Sequence, residues 1–126
     1  MAAVKHLLRY LAGTADFTIT YKQGDFKLTA LSGANWGNNP DNGNSMSSYI
    51  VFLSNAPLSF KVGLQGLTAQ SAMEAKFVAA ALAMKKAVLY SNATKGLGFC
   101  TRFDSVPLYI DNTSTLHVAG NRTYSR

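Results

Sequence analysis

Six acidic side chains are all this chain has for metal or general acid–base chemistry: Asp16, Asp25, Asp41, Glu74, Asp104 and Asp111. Cutting a phosphodiester with two metal ions requires several carboxylates converging on ions ~3.5–4 Å apart. Asp16, Asp25 and Asp41 fall in stretches that read as turns and loops, and Asp104 falls in a connection, so these four have no strong claim to a buried site. Asp111 differs because it directly follows the short apolar run Val106-Pro-Leu-Tyr-Ile110, and open sheets present ligands at the carboxyl ends of their strands. The same place also suits an Asx turn or a helix cap, and residue type alone leaves both readings open. Glu74 stands three residues after Ser71, the spacing of a capping box.

Other chemistries find no support. No glycine-rich phosphate cradle followed by Lys-Ser/Thr is present, and Gly96-x-Gly98 is too short to serve as one. No Cys or His pair has zinc spacing, and His6 has no second ligand at helical distance. The serines lack a nucleophile elbow or a neighbouring base. The single cysteine, Cys100, excludes an internal disulfide framework and fits a reducing compartment. Trp36, Tyr49, Phe52 and Phe60 are able to stack on nucleobases, but aromatics alternating along strands read first as core.

The elements that would position these residues are organised around one long helix. Thr68 to Tyr90 is rich in alanine, leucine and methionine, which lose little rotamer freedom in a helix. Met73, Phe77, Ala80, Met84 and Val88 recur at spacings of three and four, and Ala72, Ala75, Ala79 and Leu82 widen that stripe. The pattern predicts a helix from the Ser71 cap to about Asn92 that lays these side chains on a sheet. Ahead of it, Ala2 to Leu11 carries Val4, Leu7, Leu8 and Leu11 on one face and reads as a short amphipathic helix closed by Gly13. Phe17–Tyr21 and Phe26–Leu31 alternate around Gln23-Gly24-Asp25 and read as a hairpin. An asparagine- and glycine-rich loop, 35–44, precedes two further strands, Ser47–Leu53 and Leu58–Val62, joined by a turn at Ser54–Pro57. After the long helix come the strand Val106–Ile110 and a short helix capped by Thr113 or Ser114 and closed by Gly120. The fold class expected is α/β: a mixed sheet with a three-stranded antiparallel meander, a long central helix, then a strand and a short helix.

Composition sets bounds on this picture. The 126 residues suit one domain with its own core. A 48% hydrophobic and 14% charged composition argues against disorder. Twelve Lys and Arg against six Asp and Glu give +6, which favours an anionic partner such as nucleic acid. Lys61, Lys85, Lys86, Lys95 and Arg102 are the candidate phosphate contacts, and a solvated basic face accounts for them equally well. The N-terminus lacks the apolar core of a signal peptide, and no run approaches the ~20 apolar residues of a membrane span. A soluble chain of the cytoplasm or nucleus is expected.

The order of motifs resembles the ribonuclease H region of a copia-type LTR retrotransposon polyprotein, nearly end to end. Val4-Lys-His-Leu-Leu-Arg-Tyr-Leu-Ala-Gly-Thr14 is similar to that family's lead-in helix, and Ser32-Gly-Ala-Asn-Trp36 to its Ser-Asp-Ala-Asp/Asn-Trp. Ser45-Met-Ser-Ser-Tyr49 is similar to its Ser-Thr-Ser-Gly-Tyr, and Leu58-Ser-Phe60 and Gln65 match the next strand. Ser71-Ala-Met-Glu-Ala-Lys76 is similar to its Ser-x-x-Glu-Ala-Glu, and Asp111-Asn-Thr-Ser114 to its Asp-Asn-x-Ser. The resemblance implies residues 1–14 as a lead-in helix and 15–126 as a ribonuclease H-like domain lacking its C-terminal part. It implies relatives that cut the RNA strand of RNA–DNA hybrids with Mg²⁺ during reverse transcription.

Carried over by position, the family's four acids fare badly. The first falls on Gly33, the helix glutamate falls on Lys76, the third is kept as Asp111, and the fourth would follow Thr123-Tyr-Ser-Arg126. Glu74 is a poor substitute for the acid missing at Lys76, because two residues along a helix turn a side chain by ~200°. A lone carboxylate holds Mg²⁺ poorly. The resemblance therefore implies a degenerate copy, a pseudoenzyme that binds no Mg²⁺ and in which Lys76 pairs with Asp111. A separation beyond ~6 Å would count against that pair. The alternative is a non-catalytic module that holds RNA–DNA hybrid or other nucleic acid on its basic surface.

Overall fold

The computed structural model describes residues 2–22, 25–99 and 105–120. The elements follow in the order α1 (Ala2–Gly13), β1 (Leu28–Asn35), β2 (Met46–Leu53), β3 (Ala56–Leu64), α2 (Ala72–Gly96), β4 (Leu108–Ile110) and α3 (Thr113–Gly120). The four strands form one mixed sheet in the order β3-β2-β1-β4, with β1–β2 and β2–β3 antiparallel and β1–β4 parallel. The α/β class, the meander and the sequence of helix, strand and helix after it are as the residue pattern predicts.

The meander is tightened by a two-residue turn at Ser54 and Asn55, both at positive φ (50° and 67°). That geometry matches the twist of paired strands in a type I′ hairpin. Ala56 and Pro57, expected in the turn, already belong to β3. In the last strand, pairing is confined to Leu108–Ile110, while Pro107 accepts a hydrogen bond from the Ala30 amide at 2.9 Å.

The hairpin expected over Phe17–Leu31 does not form. Residues 17–22 lie outside any strand, with Phe17 81% exposed. β1 starts only at Leu28 and is a central strand, with β2 along one side and β4 along the other. No edge of β1 remains for Phe17–Tyr21 to pair with, so alternation there has no ladder to join. The α1 helix forms as predicted, but among the described residues it packs against no other element, and Val4, Leu7, Leu8 and Leu11 stay exposed.

The long helix is where the residue pattern misleads most. Its sheet-facing side is a line of alanines, Ala75, Ala79, Ala80, Ala83 and Ala87, of which Ala75, Ala79 and Ala80 belong to the expected stripe, continued by Ser91 and Thr94. Met73, Phe77, Leu82, Met84 and Val88, expected in the core, are each more than a third exposed. Alanine methyls let the helix backbone approach the sheet closely, and the larger residues then splay along its flanks. Leu28, Ala30, Tyr49 and Val51 supply the sheet's half of the core, with Leu53, Leu58, Tyr90, Val106 and Leu108 packed around them.

Side chains alternate across a strand, so burial of Leu28, Ala30, Tyr49 and Val51 against α2 sends Leu31, Gly33, Ser48 and Ile50 to the other face. That face is uncovered by any described element. Tyr49 is core as expected, but Phe60, on the open face, is 68% exposed, and Trp36 is 52% exposed. The reading of Phe60 as core fails because the sheet has a helix layer on one side only, and Trp36 lies past the end of β1.

Candidate functional site

The start of α2 is built as a capping box displaced by one residue. Ser71, in extended conformation, accepts a hydrogen bond from the Glu74 amide at 3.1 Å. The Glu74 carboxylate accepts from the Gln70 amide at 2.7 Å, where the motif predicts the Ser71 amide. Glu74 is thus committed to the helix end, where a negative charge also complements the helix dipole. The lead-in to the helix is fixed further by Trp36, whose indole N–H donates to the Ala69 carbonyl at 2.9 Å. Gln65 ties three elements together: its Nε2 donates to Ser47 Oγ at 2.7 Å and to the Ala75 carbonyl at 2.8 Å.

One turn into α2, Lys76 Nζ lies 3.0 Å from Asp111 Oδ1. The carboxylate is held there by its own short loop: Asn112 Oδ1 accepts from the Thr115 amide at 2.8 Å and caps α3. The cap is Asn112, where the sequence pattern pointed to Thr113 or Ser114. Thr115, fully buried, also donates to the Met73 carbonyl at 3.4 Å, which docks α3 on the first turn of α2. The expected Lys76–Asp111 pair therefore forms, with the lysine side chain 20% and the aspartate side chain 66% exposed. Among the described residues it is the only ion pair.

Gly33 occupies the corresponding level of β1. β1 and β4 pair in parallel with Ser32 opposite Ile110, so Gly33 and Asp111 are the next residues along the two strands. Across the other edge Gly33 pairs with Ser48, whose hydroxyl donates to the Gly33 carbonyl at 3.3 Å. A Cβ at position 33 would meet Ser48 Oγ at 3.1 Å, so a side chain there requires the serine to rotate. Among the described residues no three of His, Cys, Asp and Glu come together as metal ligands. A single exposed carboxylate already bonded to an ammonium does not fit Mg²⁺, which needs near-octahedral oxygen donors and negative charge to hold it. Among the described residues, the buried polar atoms Ser32 Oγ and Gln65 Oε1 have no hydrogen-bond partner; nothing in the sequence pattern marks them.

The candidate phosphate-binding lysines do not gather into one cluster by sequence or fold. Lys61 is exposed on β3, Lys85 and Lys86 sit together in the middle of α2, and Lys95 is in its last turn. Arg102, Cys100 and Asp104 lie outside the described residues, as does the 121–126 stretch.

The chain is 31% identical over 123 residues to the retrovirus-related Pol polyprotein from transposon RE2 of Arabidopsis thaliana, covering 97% of the chain. It is 30% identical over 126 residues to the corresponding polyprotein from transposon RE1 of the same plant, covering 98% of the chain. The Pol polyprotein from transposon TNT 1-94 of Nicotiana tabacum is 28% identical over 122 residues. The homologues of this chain are transposon Pol polyproteins. It spans only 8% of the length of each Arabidopsis relative and 9% of the tobacco one. No family model matches the chain, and no solved structure matches it. No described helix is long and apolar enough to cross a membrane.

Proposed function

We propose that this Pol-like chain is a ribonuclease H-like region of a copia-type retrotransposon polyprotein whose hybrid-cutting site has been lost. Support for the fold comes from the antiparallel meander, the long helix packed on one face, and a parallel β4 beside β1 that delivers Asp111 at its carboxyl end. The Lys76–Asp111 ion pair is the observation that carries the loss of function. An ammonium sits where the resemblance puts a metal-binding glutamate, and it pairs with Asp111, the family acid kept after β4.

A second exchange supports the same reading. The family pattern has an acid at the position of Gly33 and a glycine at the position of Ser48, and these two residues face each other across β1 and β2. Here the side chain has moved from one strand to the other, and a Cβ at position 33 would come within 3.1 Å of the Ser48 hydroxyl. Removing one key catalytic group typically lowers a rate by about 10²–10⁴ or more, and two acid positions are changed here. Hybrid binding without cleavage is a compatible second role, favoured by the exposed Lys61, Lys85 and Lys95, none of which has an acidic partner among the described residues.

Incubating the purified chain with labelled RNA–DNA hybrid and Mg²⁺, at low and moderate salt, tests both. No cleavage is expected. Cleavage that disappears in Asp111→Asn would overturn the proposal, and retention of intact hybrid that weakens with salt would identify the binding role.

A further inference from the structure

We propose that the outer edge of β3 pairs antiparallel with β3 of a second copy of this chain, in a register centred on Val62. β3 closes one side of the sheet, and at nine residues it is long for an edge strand. One hydrogen bond fixes the direction of its backbone groups. The Gln65 amide donates to the Ser45 carbonyl at 2.8 Å, which makes these two a hydrogen-bonded pair, and such pairs alternate with non-bonded ones along an antiparallel ladder. Gly63 and Lys61, opposite Ser47 and Tyr49, therefore turn their backbone groups to β2, while Leu64, Val62 and Phe60, opposite Met46, Ser48 and Ile50, turn theirs outward. Among the described residues nothing pairs with those outward N–H and C=O groups.

Natural edge strands are protected by prolines, bulges, charges or covering segments, and β3 has these only at its start. Pro57 lies there, the register shifts there against Val51 and Phe52, and the Tyr21 hydroxyl donates to the Pro57 carbonyl at 2.6 Å. From Phe60 to Leu64 the single charge is Lys61, and its side chain shares the α2 side of the sheet with buried Tyr49, its partner on β2. Phe60, Val62 and Leu64 are 68%, 65% and 52% exposed.

This stretch is complementary to itself. Centring two antiparallel copies on Val62 sets Val62 against the partner's Val62 and Phe60 against the partner's Leu64, and every outward backbone group of the three residues gains a partner. Lys61 then faces the partner's Gly63. A centre on Lys61 opposes two like charges, which destabilises a cross-strand pair. A centre on Phe60 runs Leu64 onto the partner's irregular start at Ala56, and a centre on Gly63 runs Phe60 past the partner strand's end at Leu64. The Val62 register joins two four-stranded sheets into one by a two-fold axis, an isologous contact that closes on itself. The inference does not depend on the ribonuclease H reading; it needs only the strand order and the register.

The test is sedimentation velocity of the full chain over a range of concentrations, with circular dichroism of each variant to check folding. A dimer that grows with concentration is expected. Val62 opposes itself in this register and in no other, so Val62→Lys and Val62→Glu should each weaken the dimer about 10-fold or more, and an equal mixture of the two should restore it. Tyr109→Lys, on the open face at the far side of the sheet, should leave the dimer intact. Amide exchange supplies a readout free of substitutions: with rising concentration Phe60, Val62 and Leu64 gain protection, whereas Lys61 and Gly63 are protected already by β2. A chain monomeric up to ~1 mM, or a mixture that associates no better than either variant alone, would overturn the proposal. So would a dimer dissolved by Tyr109→Lys and not by Val62→Lys, which assigns association to the open face.

Discussion

Substituting leucine for alanine at two nearby positions of α2 separates the helix orientation seen here from the one its large residues suggest. Ala83 is fully buried and part of the core cluster with Leu28, Ala30 and Val51, while Ala81 is exposed. Intrinsic helix preference changes by only ~0.2 kcal/mol in either case, so the difference between the variants reports space against the sheet. Three added carbons at Ala83 meet a closely packed surface, and overpacking of that kind typically costs about 1–3 kcal/mol. For a domain of this size that is a fall of roughly 3–15 °C in Tm. Ala81→Leu should stay within ~0.5 kcal/mol of the parent. Urea unfolding followed by circular dichroism gives both values, provided the slopes match the parent's. Phe77→Ala supplies the converse. A fully buried phenylalanine costs about 3–5 kcal/mol to truncate, but at 43% exposure only a little over half of that is expected. Equal destabilisation by Ala81→Leu and Ala83→Leu, or a Phe77→Ala loss in the full core range, would refute the placement of the alanine line against the sheet.

Four further outcomes follow from the same geometry. Ser71→Ala should cost ~1 kcal/mol through loss of the cap on the Glu74 amide, measurable as a lowered urea midpoint. Gln65→Leu should cost about 1–3 kcal/mol, because it strips the Ala75 carbonyl and Ser47 hydroxyl of a buried donor, and hydrogen exchange should show the β3–α2 junction loosening first. Lys76→Glu combined with Gly33→Asp and Ser48→Gly places two carboxylates beside Asp111. That triple variant is expected to show a melting temperature that rises with Mn²⁺ concentration while the parent's stays flat. Asp111→Asn in the parent should cost no more than ~1 kcal/mol, given a 66% exposed carboxylate.

The parts of the fold legible in the sequence are those set by local chemistry. Ser71 and Glu74 mark the start of α2 because a cap is satisfied within one turn, and alternation in Met46–Leu53 marks a strand because its two faces differ. Partnership is harder to read. Phe17–Tyr21 alternates as well as any strand, yet the neighbours of β1 are decided by β4, far along the chain. The orientation of α2 was likewise hidden, since its sheet-facing side is chosen by how closely backbones approach and not by which residues are most apolar. At the site, opposite charge predicted the Lys76–Asp111 contact, but only the register brought Gly33 and Ser48 face to face.

The turn at Ser54 and Asn55 bears on the order in which the molecule comes together. It joins β2 and β3 through contacts close in sequence, so this hairpin closes at small entropic cost and on a fast timescale. The union of β1 with β4 spans nearly the whole distance from Leu31 to Tyr109 and rests on only three paired residues. A long closure rewarded by so short a ladder is the slow step expected of such a topology. The carboxylate that follows β4 reaches Lys76 only when that closure is made, so their contact serves as a latch on the last-assembled part of the chain.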